Sequence, residues 1–484
     1  MKKSRITCLL ALASTMILGV AGCDSSVDDG HKIIVWATFN TTYQAIVEKA
    51  IANFEADYPD YKIEYVKQNG SYSDLKDMVV KGVPAGNYPD LVIAYPDSVA
   101  DFMMTGKALN IQPYMEDSAI GWSQADFNDI PEAYISEGQN YMIQGTYSLP
   151  ICKSTEAMYY NRGVLINLDL SSYDDTINDG NPLTDDYIQS LSWEELMDHL
   201  CPALIAYNND QDADHKIITP TSDYADSWAV VGYDSDDNLF ITLAEQYGYD
   251  FTSINTSTGK GSIDFVNDDM KGLMKKFNGY YENHYLTTKG ILGKNVNYVS
   301  TTGGMLFSIG STGGVSYQFS SASPKDVGVA PIPQAAGRDS KIINQGPSIA
   351  FLKRGKTDAI MDTRAKGAWL FYKEWTGTDI GIEWATTTGY SPIRESVMQS
   401  DAYLAYSSTS GKTVSTLDML TARNAAYATS VTDYLFSSPV FVGSANARDA
   451  VAGLVADCIG NKGNGLITDA QINTYFANAY NNAI

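Results

Sequence analysis

Histidine, spare cysteine and clustered positive charge are what this chain has least of, and each scarcity closes a class of function. Its four histidines, His31, His199, His215 and His284, include no two at metal-ligand spacing. That removes the common zinc motifs and histidine-relayed nucleophiles. Of the five cysteines, Cys8 and Cys23 fall in the N-terminal segment, and Cys152, Cys201 and Cys458 are an odd number at wide spacing. Such a set is no disulfide framework and holds one bridge at most. Gly310 to Gly314 lacks the Gly-Lys-Ser/Thr ending of a phosphate loop, and no Gly-x-Ser-x-Gly elbow occurs. Lys and Arg number 33 against 57 Asp and Glu, a formal charge of -24. A surface of that sign repels phosphate backbones and anionic headgroups, so nucleic acid is a poor partner. After Val20 no apolar run reaches the length of a membrane span.

What is present begins with an address. Lys2, Lys3 and Arg5 precede an apolar run to Val20, then small residues and a cysteine, so residues 1–22 read as a secretory signal peptide. Val20-Ala21-Gly22-Cys23 resembles the bacterial lipobox, which implies lipidation of Cys23. The working chain is then held by lipid on the extracytoplasmic face of the bacterial cell membrane, with 23–30 as an acidic linker. An ordinary signal peptide with an incidental cysteine is the alternative. About 460 residues follow, enough for two or three domains. Tyrosine is abundant, with 33 copies, and rings with one polar end suit half-buried ligand clefts.

Residues 32–36 read as a buried strand, and Val47, Ala50, Ile51, Phe54 and Tyr58 follow at helical spacing until Pro59. Residues 61–66 alternate as a second strand, Leu75, Met78 and Val79 mark a second helix, and 90–94 is a third strand. This β-α-β-α-β order calls for a parallel sheet with ligands beyond the strands' carboxyl ends. Those ends, 37–41, 68–72 and 95–98, are polar and are expected at one edge. The middle, about 170–267, is rich in Asp, Asn, Ser and Gly. Residues 305–310 and 348–352 read as late strands, and 365–375, 417–435 and 449–458 as a helical tail.

Gly70 with Tyr72, the Ala-Gly-Asn-Tyr-Pro-Asp run at 85–90 and Ser-Thr-Glu-Ala-Met-Tyr-Tyr-Asn at 154–161 stand in order with three later motifs. These are Gly-Ser-Thr-Gly at 310–313, Gly-Pro-Ser at 346–348 and Thr-Gly-Tyr-Ser-Pro at 388–392. Together they resemble the extracellular solute-binding proteins of sugar-type ABC importers over most of 31–165 and 300–456. The resemblance implies an α/β, two-lobed periplasmic-binding-protein (type II) fold with an interlobe cleft and hinge crossings near residues 155, 310 and 351. Residues 31–155 plus 311–350 would form the N-terminal lobe. Residues 156–310 plus 351–484 would form the C-terminal lobe, with the helical tail packed on it. The implied role is capture of a carbohydrate or polyol phosphate and delivery to ABC permease subunits, by a monomer without cofactor or catalysis.

Within that family the pattern of the glycerol-3-phosphate-binding proteins is the nearest match. It implies ligand positions at Tyr72, Asp97, Ser154, Ser311, Gly346, Tyr390 and Arg448, with Thr312 as the alternative to Ser311. Asp97 stands where the pattern has glutamate, which leaves the polyol open. The chemistry is apt: a carboxylate takes two hydroxyls, tyrosine faces lie on sugar C–H groups, and a guanidinium forks onto phosphate or carboxylate. Structural readings stand beside these. Asp97-Ser98 would cap the helix holding Phe102 and Met103, Tyr390 would pack in a turn, and Arg448 would be a surface residue. Of Tyr159 and Tyr160, one is expected in the core and one in the cleft. Asp234, Asp236, Asn238 and Glu245 mimic a calcium loop, but Leu239 takes the glycine's place, so they are read as helix capping. A lipid-anchored carbohydrate hydrolase and a receptor or adhesin without a transporter are the competing functions. The first would need two carboxylates about one bond.

Overall fold

The computed structural model describes residues 28–220, 228–255, 257–294, 305–320, 326–408 and 412–484; the signal segment and Cys23 lie outside them. Strands β1 (Lys32–Ala37), β2 (Lys62–Lys67) and β3 (Leu91–Ala94) alternate with helices Thr41–Asp57 and Tyr72–Gly82. They pair in parallel with β1 in the middle. The first helix starts where Asn40 Oδ1 accepts the Tyr43 N–H at 2.9 Å, and the second starts on a capping box of Ser71 and Asp74. β4 (Ser148–Pro150) and β13 (Ser348–Phe351) complete the sheet in the order β2-β1-β3-β13-β4. Both faces are covered, so alternation sorts each strand between two cores. Ile33, Val35, Leu91, Ile93 and Phe351 pack with Trp369 and Tyr372, whereas Trp36, Val92 and Ala350 pack with Leu75 and Val79.

A second sheet is ordered β11 (Val327–Ala330), β5 (Glu156–Asn161), β10 (Phe307–Ser311), β6 (Val231–Tyr233), β9 (Leu286–Thr288). Its core takes in Trp193, Phe240 and Phe277, and also Val451, Leu454 and Phe476 from helices Ser444–Ile459 and Asp469–Ala483. Two small pairings complete the strands: β7 (Thr252–Asn255) with β8 (Lys260–Ile263), and β12 (Ile342–Ile343) with β14 (Leu435–Phe436). The two-lobed α/β architecture is thus as expected, but the sheets divide the chain elsewhere than at 311, 350 and 351. β11 lies in the second sheet. Helix Asp358–Trp375 packs on the first, because β13 re-enters that sheet antiparallel to β3 and the helix follows it directly. Only the later part of the tail packs on the second lobe. The helix from Leu417 ends at Ser430, and 435–436 is strand.

The chain passes from the first sheet to the second over 151–155 and returns over 344–347, and it joins the second lobe again ahead of the helix Leu417–Ser430. No crossing occurs at 310, where β10 stays between β5 and β6. The first two crossings lie side by side, with Ser154 N–H donating to Gln345 O at 3.0 Å and Gln345 N–H to Ser154 O at 2.9 Å. Tyr159 and Tyr160 are both buried. Their hydroxyls are spent on Asn424 and Asp185, so neither reaches the cleft. Cys152, Cys201 and Cys458 are buried and unbridged, and burial pushes their thiols up, which leaves them inert. Among the described residues no helix is long and apolar enough to cross a membrane, and no group of His, Cys, Asp or Glu is placed to hold a metal ion.

Candidate functional site

Between the lobes lies a cavity of about 510 Å³. Asp97, Ser154, Ser311, Gly346 and Arg448 all line it, although they come from five separate stretches of chain. Tyr72 and Tyr390 do not; they stand behind it. The Tyr72 ring meets the lining residue Tyr95 edge-on at 5.1 Å, and Tyr390 lies against Gly313 beside Ser311 and Ser154. Burial pushes both phenols well up, and each acts on the other. The packing expected of Tyr390 is present, against Tyr43 and the first lobe's core. Ser311 lines the cavity, whereas the Thr312 hydroxyl is buried and accepts the Thr155 N–H at 3.0 Å.

The charged residues are engaged in ways the sequence did not disclose. Asp97 opens helix Pro96–Met104 but makes no cap hydrogen bond. Its Oδ1 instead accepts Ser444 Oγ at 2.7 Å, across the cleft from helix Ser444–Ile459. Its Oδ2 lies 3.8 Å from Arg448 Nε. Arg448 Nη1 donates to Asp237 Oδ2 at 2.6 Å and to Asn238 Oδ1 at 2.8 Å. The expected fork for a ligand anion is thus turned onto the protein's own carboxylates, the nearest anions in a very acidic chain, and Arg448 is not a bare surface residue. Burial works to raise the Asp237 carboxyl, but Arg448 and Ser235 outweigh it and hold it below the ordinary range. Behind this group Glu156 is fully buried. It accepts Asn238 Nδ2 at 3.3 Å and the Tyr233 hydroxyl, and burial pushes it up to about 8.

Asp237 and Asn238 escaped the sequence reading because their neighbourhood looked like helix capping. The helix Asp236–Tyr247 does begin there, yet Ser235 makes no cap bond, and Asp236 holds Thr288 Oγ1 at 2.5 Å and Gly290 N–H at 2.8 Å. The usable signal was their position directly after β6, at a strand's carboxyl end. Lys76, the other lining cation, sits 3.5 Å from Asp101 and 3.4 Å from Asp77.

The cavity floor is built from the two crossings. Gly346 has φ +90°, and a Cβ there would fall 1.9 Å from Cys152 O, so glycine is required for the crossings to touch. Lys153, with no exposed surface, pairs with Glu137 and donates to Gly346 O at 3.2 Å. Glu137 also accepts Ser348 Oγ at 2.9 Å and Asn344 Nδ2 at 3.0 Å. A buried ion pair thereby fastens both crossings to the first lobe.

A family model described as bacterial extracellular solute-binding protein matches residues 49–408. The chain is 28% identical over 158 residues to the maltodextrin-binding protein MdxE of Bacillus subtilis (strain 168), a stretch covering 32% of this chain and 34% of that protein. The match therefore spans about a third of that relative's length. Among solved structures, UgpB from Mycobacterium tuberculosis in complex with glycerophosphocholine is similar at a TM-score of 0.63 and 15% identity, over 93% of this chain and 97% of that one. A cyclo/maltodextrin-binding protein complexed with maltotetraose is similar at 0.64 and 14% identity, over 95% and 97%. At these identities the likeness is one of fold.

Proposed function

The chain belongs to the bacterial extracellular solute-binding proteins, and from that premise we propose that its cleft takes a neutral, polyhydroxylated ligand, a carbohydrate before a polyol phosphate. Members of the family work outside the cytoplasm with ABC permeases on small sugars or polyols. The observation that carries the choice of ligand is that both cations lining the cavity are already paired with protein carboxylates. Arg448 is shared by Asp237 and Asp97, and Lys76 by Asp77 and Asp101. A phosphate would have to displace those acids and would meet Asp449 as well. A sugar hydroxyl can donate to the carboxylates and accept from Arg448 without moving either. The maltodextrin-binding relative supports the same reading. The chain is proposed to act as a monomer held by lipid on Cys23, and to release its ligand unchanged to the permease.

A zwitterionic glycerophosphodiester is the second reading. Tyr95, 42% exposed beside Asp97, would suit a choline group, and UgpB holds such a ligand. Calorimetric titration with maltotetraose, glycerophosphocholine and glycerol 3-phosphate separates these. Binding of maltotetraose with at least tenfold preference over glycerol 3-phosphate is expected, a margin of about 1.4 kcal/mol. Tighter binding of glycerol 3-phosphate overturns the neutral-ligand reading, and cleavage of maltotetraose overturns the binding role.

A further inference from the structure

Asn344 lies on the return crossing, is 7% exposed and lines the cavity. Its backbone N–H is spent on Phe436 O at 2.8 Å. Its side-chain amide is spent on one side only: Nδ2 donates to Glu137 Oε1 at 3.0 Å and to Ser437 Oγ at 3.4 Å. A carboxylate can only accept, so the NH2 end must face Glu137 and the carbonyl end must face away from it. That carbonyl oxygen, Asn344 Oδ1, is buried and has no hydrogen-bond partner. Thr252 Oγ1, in the wall contributed by β7, is in the same condition. Buried polar oxygens are paired as a rule, so an unpartnered one on a residue that borders a ligand cavity is a candidate acceptor.

We infer that Asn344 Oδ1 accepts a hydroxyl of the bound ligand at the cleft floor, with Glu137 as the positioning residue that fixes the amide. The inference rests on the carbohydrate reading above and deepens it. A carbonyl oxygen discriminates by proton inventory: an alcohol can donate to it, whereas a phosphate dianion has no proton to give. The floor therefore demands an alcohol. The contact also ties ligand to hinge. Asn344 sits on one crossing and its Glu137 anchor is paired with Lys153 on the other, so a ligand hydroxyl engages the segment about which the lobes move.

The test is titration of the full chain and its variants with maltotetraose and, separately, with glycerophosphocholine, whose glycerol also carries hydroxyls. Asn344→Ala is expected to weaken binding by about tenfold or more, the worth of one buried hydrogen bond. Should Asn344→Ala fold poorly, Asn344→Ser keeps a hydroxyl able to donate toward Glu137 while withdrawing the carbonyl, and the same loss is expected. Ser348→Ala removes another donor from Glu137 without touching the cavity, and should stay within about threefold of the unaltered chain. Binding by Asn344→Ala or Asn344→Ser equal to that of the unaltered chain overturns the inference. So does an equal loss in Ser348→Ala, since the effect would then come from a weakened Glu137. Failure of the carbohydrate reading looks different: the unaltered chain ignores maltotetraose and binds glycerophosphocholine. Loss of that diester in Asn344→Ala would still support the hydroxyl contact.

Discussion

Glu156 is a buried acid with no cation of its own, and that has a thermodynamic sign. Its carboxyl is pushed up to about 8 by burial, from an ordinary value of 4.5. Between those values the folded chain keeps a proton that the unfolded chain releases, so this contribution is complete below the ordinary value and lost as pH rises through about 8. Thermal unfolding is expected to occur at falling temperature from pH 5 to pH 8.5, and Glu156→Gln should flatten that slope; equal slopes would contradict it. Gly346 supplies a second residue-level expectation. Alanine there meets both a left-handed φ and the Cys152 carbonyl, so Gly346→Ala should cost about 3 kcal/mol or more in denaturant unfolding. A loss under about 1 kcal/mol would show that the crossings can part. The family resemblance marked Asp97 and Arg448 as ligand positions, and Asp97 also stood at a strand's carboxyl end. The sequence was silent on their partners, because Asp237 stands 211 residues from Arg448 and Ser444 stands 347 from Asp97. Pairing at such separations is settled by topology, which no local pattern encodes.

At the scale of elements, legibility followed the strength of local patterns. β1 to β3 and their helices were readable because apolar runs in β1 and β3, alternation in β2, helical spacing and Pro59 all agreed. The Ala-Gly-Asn-Tyr-Pro-Asp run was readable for a structural reason: Tyr88 OH donates to Lys353 O at 2.8 Å, and Asp90 accepts Ile34 N–H and Arg364 at 2.8 and 2.9 Å. Unreadable was the sheet to which a late strand returns. β11 and β13 are both four-residue apolar strands, and only their partners, β5 and β3, tell them apart. The crossing expected near 310 was misplaced for the same reason, whereas that near 155 was legible. The fastening of the crossings makes a specific prediction. Lys153→Met leaves the Glu137 carboxylate buried without its cation and should destabilise the chain by roughly 3–5 kcal/mol. The double variant Glu137→Gln with Lys153→Met should recover most of that loss, because an uncharged pair has no desolvated ion to compensate. Denaturant titration of the single and double variants measures the coupling, and strict additivity would mean that the pair does not act as a unit.

For the whole molecule the question is what holds the lobes together. Asp97 reaches from the first turn of one lobe's helix to the first turn of the other's, taking Ser444 Oγ at 2.7 Å and standing 3.8 Å from Arg448. A second tie lies at the cavity's end, where Val440 N–H donates to Asn140 O at 2.9 Å and Asn140 Nδ2 to Ser437 O at 3.3 Å. Contacts made between the lobes, and not within either, bias the opening equilibrium as a ligand would. Asp97→Ala removes one hydrogen bond to a charged group, worth roughly 1.5–3 kcal/mol, and so should shift the open-to-closed ratio by about ten- to a hundredfold. In small-angle scattering the ligand-free variant should show a larger radius of gyration than the unaltered chain, returning to the compact value with saturating maltotetraose. Ser444→Ala should move the same way by less, since it leaves the Arg448 contact in place. If both variants scatter like the unaltered chain without ligand, the Asp97 bridge is not what closes the cleft, and the burden falls on the Asn140–Val440 tie and on the crossings beneath it.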